Sequence, residues 1–124
     1  MNLLMRLTAV VCLAWGVLLV ALKDHVLSAS ELSPLVSGFA NSGGIAHLVL
    51  AYAFWQAAAN PLRNRGVIYA AIMLLGLKVA NALYGILLLL PARQAALTLV
   101  DLVVSLALLV GVLEALPRTL RRGK

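Results

Sequence analysis

The sequence predicts an all-α integral membrane protein, an antiparallel bundle of four transmembrane helices with both termini on the cytoplasmic side. Three observations predict it. Hydrophobic residues make up 64% of the 124 positions and charged ones 11%, far from the balance of a soluble domain of this length. Stretches of about 20 residues pass with one ionisable group or none, where a soluble domain would be interrupted by charge every turn or so. The basic residues, finally, sort to one side of the spans these stretches define.

The first span covers residues 3–22. Arg6 ahead of an apolar stretch, with Ser28, Ala29 and Ser30 as a small-residue cleavage site, would also fit a secretory leader. The stretch from Leu7 to Leu22 is long for such a leader, however, and the small residues lie well beyond its end. The second span covers residues 35–58, with Ser33 and Pro34 suited to a helix N-terminus. Asn60 and Pro61 open a turn that Gly66 closes, and the third span follows over residues 67–90 until Pro91 ends it. The fourth occupies residues 94–116. Each can cross about 30 Å of hydrocarbon at 1.5 Å per residue, and the two short final loops force antiparallel neighbours.

Orientation follows from Lys and Arg near the span ends. Arg6, Arg63, Arg65, Arg118, Arg121, Arg122 and Lys124 make seven on one side, against Lys23 and Arg93 on the other. The richer side is cytoplasmic, and the expected location is a bacterial cytoplasmic membrane. Trp55 and Tyr69 fall near the same side, at headgroup level. The outer loop, residues 24–33, is mildly acidic. Arg118, Arg121, Arg122 and Lys124 form a basic tail, residues 117–124, expected to contact lipid headgroups at about 1 kcal/mol per charge. The net charge of +6 therefore reports topology. Nucleic-acid binding is not expected, because these charges sit in loops and a tail and not on a folded face interleaved with aromatics.

The residues that hydrocarbon would reject carry the functional information. Lys78 lies near the middle of the third span, where lysine insertion costs about 2.5 to 3.5 kcal/mol. Asn81 and Gly85 share its stripe, at i+3 and i+7. The fourth span repeats the pattern with Thr98, Asp101 and Ser105, and the second with Ala40, Gly44, His47 and Ala51. Ala40 and Gly44 would also let a neighbouring helix approach closely. Counted from the outer ends, His47, Lys78 and Ser105 lie at a depth of about 15 to 18 Å, Asn81 at about 13 Å and Asp101 at about 8 to 10 Å. Lys78, Asp101, His47, Asn81 and Ser105 thus form a slanted polar column, a candidate site for a partner or ligand. A direct Lys78 to Asp101 pair would have to bridge levels about 8 to 10 Å apart, so it needs a stretched lysine or an intermediary such as Asn81, Ser105 or water. Glu114 is expected to pair with the basic tail.

Familiar chemistries find no footing, and no cofactor, metal or catalytic residue is expected. The single cysteine, Cys12, permits no intramolecular disulfide and reads as a packed small residue. The second histidine, His25, sits in the outer loop, so one chain cannot offer two axial haem ligands from its helices. Four short helices are too few to enclose a retinal on Lys78. Zincin, nucleophile-elbow and phosphate-loop motifs are all missing.

The run Asn60-Pro61-Leu62-Arg63-Asn64-Arg65-Gly66, a Pro/Arg turn between a second and a third span, resembles the layout of small bacterial four-helix membrane proteins of the DoxX and BphX-like kind. The resemblance implies a small membrane protein that can accompany redox enzymes, and no catalytic residue. The leading expectation is a non-catalytic accessory or scaffold subunit that meets a membrane-protein partner or a second copy of itself through the polar column. A homo-oligomeric transporter or channel for a small anionic or neutral solute, lined by Lys78, Asn81 and Asp101, is the alternative. A quinone- or lipid-binding redox component using His47 and Lys78 as hydrogen-bond donors is the third.

Overall fold

The apolar runs coil into helices because, without water, a backbone can satisfy its own N–H and C=O groups only within a helix or a closed barrel. The computed structural model describes residues 1–21, 34–88 and 92–122, and among them it is all-helical. Helix α1 spans Asn2–Ala21, α2 Pro34–Ala59, α3 Arg65–Leu88 and α4 Ala92–Arg121. Three of them, α1, α3 and α4, are long and apolar enough to cross a membrane. Lys23, His25, Pro91 and Lys124 lie outside the described residues, as does the outer loop, residues 24–33.

Local chemistry explains the helix ends. Pro34 opens α2 at the position where a missing N–H goes unnoticed and its fixed φ already suits the helix. Between α2 and α3, the Asn60 side-chain oxygen accepts from Arg63 N–H at 3.3 Å, and its carbonyl accepts from Asn64 N and Nδ2 at 3.2 and 3.0 Å. The turn expected to close at Gly66 therefore closes at Asn64, whose carbonyl accepts the first bonds of α3 from Val67 and Ile68. Gly66 is already helical.

The larger departure is at the C-terminus. Helix α4 runs for 30 residues, through Pro117 to Arg121, where the sequence suggested a stop at Leu116. Proline removes one i to i−4 bond, but the turns beyond it are tied down: Thr119 Oγ1 donates to Ala115 O at 3.0 Å, and Arg122 N to Arg118 O at 3.3 Å. At 1.5 Å per residue α4 is about 45 Å long, so most of the basic tail continues the helix.

Helices α1 and α2 form one closely apposed pair and α3 and α4 another, with looser contact between the pairs. Glycine sets the first approach. A Cβ on Gly44 would lie 2.5 Å from Val20 Cγ2 and 3.1 Å from the Gly16 carbonyl oxygen, and one on Gly16 would lie 2.7 Å from Leu48 Cγ. The close approach expected at Gly44 is thus made to α1, through Gly16, so each glycine gives the other helix room for its backbone.

The core gathers at the end where α1 begins, α2 and α4 finish and α3 starts. Met5 and Ala9 of α1 meet Phe54, Ala57 and Ala58 of α2, Ile68 and Ala71 of α3, and Val112 of α4, all buried. Leu4 closes against Gly111, and the Arg6 guanidinium lies 5.4 Å from the centre of the Trp55 ring. Outward from this plug the helices keep large apolar side chains on the surface, among them Leu13, Val49, Met73, Leu87 and Val103, as a helix facing lipid does. Toward the opposite end the packing opens and the polar residues appear.

Candidate functional site

Asp101 is the centre of the polar cluster. It sits three turns into α4, and one of its oxygens, Oδ1, accepts from three directions: Lys78 Nζ of α3 at 3.1 Å, Trp15 Nε1 of α1 at 2.8 Å, and Ser105 Oγ one turn along α4 at 3.3 Å. The ammonium of Lys78 also lies 4.8 Å from the centre of the Trp15 ring, within the range of a cation–π attraction. The indole therefore serves both charges, its N–H on the carboxylate and its face under the ammonium. Ser105 is fully buried, and Lys78 and Asp101 are each 12% exposed. Among the described residues this is the only ion pair.

The offset expected between Lys78 and Asp101 is absent, and the helix ends show why. With α3 ending at residue 90 and α4 starting at 94, the two side chains seemed to stand about 8 Å apart in level. Helix α4 is already formed at Ala92, which sets Asp101 two residues deeper than a start at 94 implies, and the 3.1 Å pair leaves no intermediary needed. Ser105 adds a donor to the pair without bridging it.

His47 and Asn81 do not join this cluster. They line a cavity of about 330 Å³ that also borders Lys78, Thr98, Asp101 and Trp15. His47 is fixed from its own helix: Nδ1 approaches the Gly43 carbonyl oxygen at 2.7 Å. Since a carbonyl can only accept, Nδ1 carries the proton. In the neutral ring Nε2 is then an acceptor, and this atom is buried and meets no donor among the described residues. Asn81 is exposed at the cavity edge, and Thr98 is half-buried beside it. A second, apolar groove of about 240 Å³ between α1 and α4 passes over Trp15 and Asp101.

The basic tail lies at the other end of the molecule. Arg118, Arg121 and Arg122 are exposed. Arg118 and Arg122 border a cavity of about 360 Å³ with Glu114, Leu4 and Gly111. Among the described residues, the ion pair expected between Glu114 and this tail is not formed. Carboxylate and arginines are exposed around the same opening, where solvation competes with direct contact.

The sequence reading missed Trp15. A tryptophan in an apolar run suggests an interfacial ring or core filler, and its polarity is confined to one N–H. A signal was nevertheless present, because a buried or lipid-facing indole N–H needs an acceptor and Asp101 offers one at a comparable distance from the helix ends. Among the described residues no three His, Cys, Asp or Glu side chains group as metal ligands. What the arrangement can do is hold three helices at one oxygen and present a polar-walled cavity beside it. Comparison with known proteins adds no second source: no protein-family model matches this chain, nor does any curated protein or any solved structure.

Proposed function

We propose that this chain is a non-catalytic accessory or scaffold protein of a bacterial cytoplasmic membrane, crossing it four times with both termini inside. The observation that carries the reading is the self-contained cluster at Asp101. One carboxylate oxygen ties α1, α3 and α4 together, and its charge is balanced by Lys78. Such a cluster fixes helix register and leaves the outer faces free to meet other helices. The fourth crossing is α2, whose 26 residues reach about 39 Å and whose backbone is pressed against α1 at Gly44. The excess of Arg on the side of Arg63, Arg65 and the α4 end supports the inside termini, and the resemblance of the turn from Asn60 to Gly66 to that of DoxX and BphX-like proteins agrees with an accessory role.

Transport draws less support, since the two midplane charges neutralise each other within one chain and leave no net charge for a path. Affinity purification in mild detergent tests the accessory reading. A stoichiometric membrane partner or a stable homo-oligomer is expected to co-purify, and to be lost or weakened when Lys78→Leu disturbs the bundle. A monodisperse monomer with nothing bound would overturn it.

A further inference from the structure

The cavity beside the cluster has a hydrogen-bond inventory that selects a class of ligand. Two acceptors there have no donor among the described residues. One is His47 Nε2, whose partner nitrogen is committed to the Gly43 carbonyl. The other is Asp101 Oδ2, since Lys78, Trp15 and Ser105 all converge on Oδ1. Both residues line the same cavity of about 330 Å³, a size suited to a small headgroup. An unpaired buried acceptor is unfavourable by about 1 to 3 kcal/mol, and His47 Nε2 is one; Asp101 Oδ2, on a side chain 12% exposed, offers a second acceptor to a donor in the cavity.

Charge narrows the class. Lys78 and Asp101 cancel, an anion would face both the carboxylate and the imidazole lone pair, and a cation would have to displace the ammonium already seated at 3.1 Å. The remaining walls, Leu19, Leu74, Leu77 and Ala82, are apolar, and the exposed surface around Leu77 faces the region that lipid would fill.

We propose that this cavity binds a neutral amphiphile whose headgroup donates hydrogen bonds through hydroxyl groups, an alcohol or phenol carried on an apolar tail. One hydroxyl donates to Asp101 Oδ2. The second acceptor for such a headgroup is His47 Nε2, buried on a residue of the cavity wall. The tail leaves past Leu77 into the bilayer. The proposal rests on the bundle lying in a membrane, and its failure separates from the failure of that reading: a chain that remains in the soluble fraction after detergent-free lysis refutes the membrane placement before any ligand is added.

Trp15 borders the cavity and is one of two tryptophans, so in a Trp55→Phe background its emission reports binding alone. The purified chain in nanodiscs would be titrated with dioctanoylglycerol and with decylhydroquinone, each beside a capped counterpart, the acetate ester or the dimethyl ether. A saturable change with at least one hydroxylated probe, about tenfold weaker once the hydroxyls are capped, is expected. Which probe responds tells a lipid alcohol from a phenol, and either supports the assignment. His47→Leu should lower the affinity of the hydroxylated probe about tenfold while leaving the capped one unchanged. Equal binding of free and capped probes, or no saturable change with either hydroxylated probe, overturns the proposal without depending on the folding of any His47 variant.

Discussion

Asp101→Asn should destabilise the bundle more than Lys78→Met, although each removes one end of the same ion pair. At 3.1 Å the attraction between unit charges is about 5 kcal/mol at an effective dielectric constant of 20, much of it offset by desolvation at positions 12% exposed. Loss of one partner of such a pair typically costs about 3 to 5 kcal/mol. The two ends are not equivalent, however. Without Lys78 the carboxylate keeps two donors, Trp15 and Ser105, so the expected loss falls to about 2 kcal/mol. Without the carboxylate charge the ammonium keeps only the Trp15 face and an amide oxygen, and the loss stays at about 3 to 5 kcal/mol. The double variant should recover about 2 kcal/mol relative to the sum. Unfolding in mixed micelles by increasing dodecyl sulfate, followed by circular dichroism and tryptophan emission, gives all three values. A Lys78→Met loss equal to or larger than that of Asp101→Asn would refute the argument, as would additivity within about 0.5 kcal/mol.

Two further predictions concern packing and topology. Gly44→Val should cost about 1 to 3 kcal/mol in the same assay, because the added Cβ meets Val20 and the Gly16 backbone, whereas Gly43→Ala, with open space around it, should be neutral or stabilising by up to about 1 kcal/mol. Equal effects would place the close crossing elsewhere. For topology, a phosphatase reporter that is active only outside the cytoplasm should be silent when fused after Lys124 and active when inserted in the loop, residues 24–33. The opposite pattern would reverse the bundle.

Much of the fold was legible because lipid imposes few solutions: long apolar runs must be helical, and Pro34, Asn60 and Pro61 mark where chain direction changes. The exceptions have physical reasons. The fourth span was expected to end at Leu116, but α4 continues through Pro117, with the hydrogen bonds of Thr119 and Arg122 beyond it. The Lys78 and Asp101 levels were misjudged in part because α4 is helical from Ala92, two residues before the expected start at 94, which moves Asp101 deeper. Of the site, Lys78, Asp101 and Ser105 could be found because each is expensive in hydrocarbon unless paired. Trp15 could not be found by that rule, since most of its surface is content in lipid and one N–H carries its whole contribution. His47 and Asn81 were assigned to a continuous column. In the structure they stand across a cavity from the cluster, a distinction that depends on helix spacing and not on order along the chain.

The continuation of α4 past Pro117 changes what its arginines can do. In a flexible tail, charges attract headgroups without favouring any direction. On a helix advancing 100° per residue, Arg118, Arg121 and Arg122 fall within an arc of about 100°, so they act as a vane: one rotational setting of α4 points all three toward phosphate and others turn them away. The same rigid helix carries Asp101 about four and a half turns earlier. A rotation of α4 would therefore be felt at two places, at the arginine arc and at the oxygen that Trp15 and Lys78 share.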